Sequence, residues 1–174
     1  MIMQRPTSGP VPCNRIREFT GIDKAFNAAV LHIAGKLNPC GWDIVPERYA
    51  PSTLGELRMV HAITGRIAIS GANSDRTIFG DPEVNFAFRA WHDWHHLKLG
   101  AQFDPAGELA VANSQAGDLI ALYGAAVSRP WRKLLEIEIN GQVRYFAYHN
   151  CFPDDQIGFA RAQLAGKPMS TVFH

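Results

Sequence analysis

The chain has 174 residues, 47% hydrophobic and 19% charged, the balance of one packed domain and not of a disordered segment. Its net charge is +1 at pH 7 and no basic run occurs, which argues against a nucleic-acid backbone as partner. No apolar stretch approaches the roughly 18 residues of a membrane span, and the Pro-rich start, Met1 to Cys13, lacks the apolar segment of a secretory signal. Cys13, Cys40 and Cys151 are isolated and odd in number, so neither a disulfide framework nor a cysteine-based zinc site is expected, and a reducing cytoplasm is.

Residues 1–15 read as an extended N-terminal arm and 16–174 as a single helical domain. Thr20 with Asp23 forms a capping-box pattern that opens a first helix. Its apolar positions, among them Phe26, Val30, Ile33 and Leu37, recur at three and four until Asn38-Pro39 ends it. A loop through Pro46 and Pro51 leads to a second capping box, Thr53 with Glu56. The helix that follows carries Leu54, Leu57 and His61 on one face and is expected to run to about Ile67. Ser70 to Gly80 reads as a polar loop.

Asp81 as cap and Pro82 in the first turn start a third helix, predicted to run to Leu99 and stop at Gly100. Val84, Phe88, Trp91, His95 and Leu99 form one stripe, while Phe86, Trp94 and Leu97 occupy other faces. A helix apolar on most sides is a central one, so its histidines are expected to be partly buried. Asp104-Pro105 repeats the start signal, and a long helix is expected to about Ser128. On it Glu108, Ala112, Gln115 and Leu119 project within about 40° of one another, with Asp118 roughly 80° away and turned from the packing face. The segment 135–146 reads two ways. Alternation around Asn140-Gly141 suggests a β-hairpin; a helix instead puts Leu134, Leu135, Glu138, Gln142 and Tyr145 on one broad face. A last helix is expected from Pro153-Asp154 to Gly166. The fold class is all-α, a helical bundle around the central helix 81–99, with a small hairpin near 135–146 as the alternative.

The chemistry concentrates in Trp91-His92-Asp93-Trp94-His95-His96. On a helix His92 and His96 point from one face, the way two imidazoles are offered to one divalent cation. The spacing H-D-x-x-H mirrors the H-E-x-x-H of zinc peptidases, with Asp93 where they carry Glu. Glu108 stands just after a tight connection, within reach of His96, and Glu138 is a candidate fourth ligand if its segment is helical. Asp93 projects roughly 100° from His92, which suits a group orienting a histidine or a base acting on water. The expected ligands are thus His92, His96, Glu108 and Glu138, with Asp93 and Glu108 catalytic, and zinc the first choice of metal, manganese or iron the others. Each has a structural reading beside it: Glu108 as a carboxylate at a helix start, Glu138 on a solvated face, and His95, Trp91 and Trp94 as packing. His32, His149 and His174 read as structural or exposed. Two other constellations use the same residues. The order of HD-type phosphohydrolases is matched by His61, His92-Asp93 and then Asp118 or Asp154. The order of di-iron bundles is matched by Asp93-x-x-His96 with Glu108 and Glu138, though only one such unit occurs.

Phe88-Arg89-Ala90-x-His92-Asp93, then His96, Phe103, Gly107-Glu108, Ala112 and Glu138-x-x-Gly141-Gln142 together resemble a group of small helical phage, prophage and mobile-element proteins of unassigned function. The resemblance covers roughly residues 84–165 through short motifs in order. It implies successive helices, a metal-dependent hydrolase or peptidase acting on a small molecule or peptide, and residence in a host cytoplasm. The competing class is a non-catalytic phage protein that binds a host or virion partner, its histidines serving only the core.

Overall fold

The computed structural model describes residues 21–168, and a long helix with apolar side chains on most of its sides organises it. The expected arm 1–15, Thr20 and His174 lie outside the described residues. The first helix, α1 (Lys24–Leu37), is capped by Asp23: its carboxylate accepts from the Phe26 amide at 2.9 Å. The apolar side of α1, with Phe26, Val30 and Ile33, packs across the central helix α3 (Pro82–Leu99). Helix α3 begins and ends where its signals place it, with the Asp81 side chain accepting from the Glu83 amide and Gly100 closing the last turn at φ 66°.

Residues 40–70, read as loop and helix, contain a short parallel sheet. Strand β1 (Trp42–Val45) leads through a 3₁₀ turn (Glu47–Tyr49) into α2 (Leu54–Thr64), and strand β2 (Ile67–Ser70) returns beside β1, pairing Trp42 with Ile67 and Val45 with Ser70. The expected extension of α2 to Ile67 fails because Gly65 takes the left-handed conformation, φ 66°, and ends the helix at Thr64. Ile67, Ala68 and Ile69 are then buried as a strand, as parallel strands covered by helices are. Helix α3 sits between two clusters of apolar side chains. Val84, Phe88 and Trp91 join the larger with α1, and Ala90 joins Leu57, Ile67 and Ile69 in the smaller, against which Phe86, Trp94 and Leu97 pack. A helix contributing to both sides must be apolar on both, which is the pattern in its sequence.

The expected helix 105–128 breaks early: α4 (Pro105–Tyr123) stops at Gly124, φ 81°, ψ 157°, outside the helical region, and residues 125–128 open the next helix, α5 (Ala125–Glu136), which carries Pro130 inside it. The hairpin alternative for 135–146 is not formed. The chain continues from α5 through a π-helical turn (Ile137–Gly141) into α6 (Gln142–His149), and Gly141 keeps helical angles. Burial of Leu134, Leu135, Ile137, Ile139 and Tyr145 in one core outweighs the turn preference of Asn-Gly, and the wider π turn carries the alternating isoleucines inward together. The last helix, α7 (Gln156–Leu164), is capped by Asp155, whose carboxylate accepts from the Gly158 amide, so it opens later than Pro153. The described residues are predominantly helical, with α1, α3, α4 and α5 packed in sequence around the larger core. Among the described residues no helix is long and apolar enough to cross a membrane.

Candidate metal centre

Helices α3 and α4 are joined by only five residues, 100–104, and pack against each other. Two local features set how their side chains meet. Gly100 turns the chain so that the Ala101 amide bonds back to the His96 carbonyl at 3.2 Å, and the Ala101 carbonyl accepts from His96 Nδ1 at 3.0 Å. Gly107 lies against the backbone of Gln102, where a Cβ would collide with the Gln102 carbonyl, so the first turn of α4 seats closely on the connection. The residue after that glycine is Glu108.

The result is a convergence of three side chains. His92 Nε2 is 3.0 Å from His96 Nε2, His92 Nε2 is 3.1 Å from one Glu108 oxygen, and His96 Nε2 is 3.4 Å from the other. Their ligand atoms lie within 4.8 Å of one another, and the group can hold a metal ion. Ligand atoms about 2.0–2.1 Å from a tetrahedral ion stand about 3.3 Å apart, close to the spacing observed. The far nitrogens are engaged: His96 Nδ1 donates to the Ala101 carbonyl, and His92 Nδ1 lies 3.3 Å from Gln115 Oε1. A carbonyl acceptor at Nδ1 leaves the lone pair of a neutral imidazole on Nε2, facing the carboxylate. Three acceptors then point at one spot, an arrangement that requires a cation or a proton among them. His96 is fully buried, with Phe103 edge-on at 4.3 Å between ring centroids, whereas His92 and Glu108 keep 16% and 19% side-chain exposure, so the centre opens on their flank.

Charge follows the geometry. Burial alone would pull His92 down, but the hydrogen bond and field of Glu108 outweigh it and raise the pKa. Burial pushes Glu108 up, and the two histidines overcome it, holding the carboxyl at about 2. Glu108 is therefore an anionic group at any ordinary pH.

Asp93 is not in the converging group. It lies on the adjacent face of α3 and lines a cleft of about 870 Å³ that also reaches Arg89, Gln142 and Gln156. Burial raises its carboxyl to about 6, against the opposing fields of His92 and His96, so it senses the centre without touching it. Glu138, expected as a ligand, is likewise elsewhere. It sits on the π turn in the field of Arg89 and beside the Gln142 amide, with Oε2 buried and unpartnered, and burial raises it to about 7. It lies in the field of Arg89 and does not join the group formed by His92, His96 and Glu108.

Asp118, expected to face packing partners less than Glu108 does, accepts from Trp91 Nε1 at 2.9 Å and pairs with His95 Nε2 at 2.7 Å. Buried N–H groups on α3 need an acceptor, and Asp118 at the edge of α4 supplies it. Fully buried His95 is a packing residue, as expected. His61 is exposed on α2, Asp154 is exposed at the cleft, and Asp118 is taken by α3, so none of the three joins His92. His32 is exposed and His149 half-buried against Tyr145 at 4.3 Å. Sequence reasoning misses the Ala101 carbonyl, which leaves no side-chain signal, and gives Gln115 no role although it places that amide on the Glu108 face. No family model, curated protein or solved structure matches the chain.

Proposed function

We propose that the protein is a divalent-metal-dependent hydrolase, with zinc held by His92, His96 and Glu108. The observation that carries the reading is the convergence of two imidazole Nε2 atoms and a carboxylate within 4.8 Å, each far nitrogen already engaged. Two histidines and a carboxylate are a ligand set of catalytic zinc sites, three protein ligands leaving a position for water or substrate; the same set also suits iron. When bound, the ion would lower the pKa of a coordinated water and polarise the bond to be cut. The chain supplies the rest. His92 and His96 come from one turn of α3 in the order H-D-x-x-H, Glu108 comes from α4, and Asp93 follows His92 at the cleft wall. Asp93 is assigned to accept a proton from the attacking water and return it to the leaving group, so that the water oxygen ends on one fragment and its proton on the other.

The resemblance of the motif order, FRA-x-HD through E-x-x-GQ, to that of small phage and prophage proteins is what supports reading it as a phage-encoded hydrolase working in the host cytoplasm. A second reading has an observation of its own. The mutual shifts of His92 and Glu108 also describe a protonated histidine–carboxylate pair serving only the core of an interaction protein. The two are separated by assaying zinc-loaded protein against a panel of peptides, esters and phosphoesters, with Asp93→Asn as the control. Turnover that Asp93→Asn abolishes while retaining zinc supports the hydrolase; binding of zinc with no turnover on any class, or full activity of the variant, contradicts the assigned roles.

A further inference from the structure

Arg89 and Asp93 stand one turn apart on α3 and both line the 870 Å³ cleft. At this spacing opposite charges ordinarily close on each other. Here no ion pair joins them, and among the described residues neither forms one with another group. Arg89 spends Nη1 on the Ser70 carbonyl at 2.6 Å and the Ala72 carbonyl at 2.9 Å, which ties its guanidinium to the end of β2. Among the described residues its Nε and Nη2 make no hydrogen bond, and the Asp93 carboxylate accepts none. Glu138, Asp93 and Glu47 lie in the field of Arg89 without pairing with it, so a fixed donor fork and a carboxylate face one cleft with hydrogen-bonding capacity open to a ligand.

The surrounding charge narrows the ligand. Glu47, Asp75, Asp93 and Asp154 set four carboxylates against the two guanidiniums of Arg76 and Arg89. A simple anion would gain Arg89 and meet net repulsion from the walls, while a simple cation would leave Arg89 unmatched. A dipolar ligand satisfies both. The amides of Gln142 and Gln156, 3.5 Å apart, offer donors and acceptors to a peptide bond, and Phe152 is 56% exposed beside them. The volume lies in the range of about 300–1,000 Å³ typical of small-ligand sites.

We infer that this cleft binds a short zwitterionic peptide, its carboxylate on the Arg89 fork and its ammonium group among the carboxylates of Glu47, Asp75 and Asp154. The substrate class deepens the hydrolase reading and rests on it for the reaction, but the binding itself does not need the metal. The test therefore uses metal-free protein. Tri-alanine, its N-acetyl form, its C-terminal amide and inorganic phosphate are titrated while NMR follows the Arg89 Nε–H and the side-chain amides of Gln142 and Gln156. Tri-alanine is expected to shift these resonances, and each blocked form to bind about tenfold more weakly, the loss of one charged contact. Arg89→Lys, which keeps the charge and loses the fork, is expected to weaken tri-alanine and leave its C-terminal amide unchanged. Silence at millimolar tri-alanine, equal binding of the C-terminal amide, or phosphate binding as well as the peptide overturns the inference. A silent cleft in a protein that still binds zinc removes only the substrate class, whereas peptide binding without zinc binding removes only the metal centre.

Discussion

Replacing Glu138 by Gln makes a sharp test of where that carboxyl lies. In the folded protein its pKa is raised from 4.5 to about 7, chiefly by burial, with Gln142 and Arg89 opposing. Between these two values the folded state holds a proton that the unfolded state has lost, so stability falls as pH rises through the interval. Above about pH 7 the folded protein carries the full cost of a buried carboxylate. About 2.5 pH units at 1.36 kcal/mol each set that cost at about 3 kcal/mol. Glutamine has nearly the same shape and no charge to bury. The stability of Glu138→Gln relative to the parent should therefore rise by up to about 3 kcal/mol between pH 4.5 and pH 7.5 and level off beyond. Urea unfolding of both proteins in chelator, at half-unit pH steps, measures it; the difference between them cancels the titrations of His92, Asp93 and Glu108. A stability difference that does not change with pH would refute the burial assigned to Glu138. Because Glu138 is outside the converging group, the variant should also retain its metal.

Gly107→Ala should place a methyl group against the Gln102 carbonyl, destabilising the protein by about 1–3 kcal/mol and weakening zinc binding through displacement of Glu108, read by thermal unfolding and by zinc titration. Gln115→Leu removes the acceptor at His92 Nδ1; zinc affinity should drop about 10–100-fold, and an unchanged affinity in competition with a chelating dye would remove Gln115 from the site. Because Glu108 raises the pKa of His92, zinc must displace a proton there, so affinity should fall with pH below that pKa and calorimetry in buffers of different ionisation enthalpy should register proton release.

Legibility in the sequence follows how local each determinant is. Helix α3 and its two histidines are readable because cap, periodicity and terminal glycine agree over one continuous segment, and the short connection delivers Glu108 beside them. The β1–β2 pair is not, since each strand has four residues and its partner lies beyond an intervening helix. Asn140-Gly141 misleads because a local turn preference loses to burial of Leu135, Ile137 and Ile139. Asp118 is misplaced by its angle on α4 alone, which carries no sign that Trp91 and His95 present buried donors beside it. Glu138 departs from its expected role for a related reason: a π turn shifts the helical phase, and nothing in residue spacing announces one.

The proposed function stands on a metal centre formed by His92, His96 and Glu108. That centre is tested most directly by elemental analysis of the purified, untagged protein beside His92→Ala and His96→Ala, each checked for fold by circular dichroism. The parent should hold about one divalent ion per chain, with zinc foremost, and both folded variants should lose it. A parent that holds no ion even after refolding with zinc, manganese or iron would contradict the metal centre, leaving the two histidines and the carboxylate as a buried ion pair of the core.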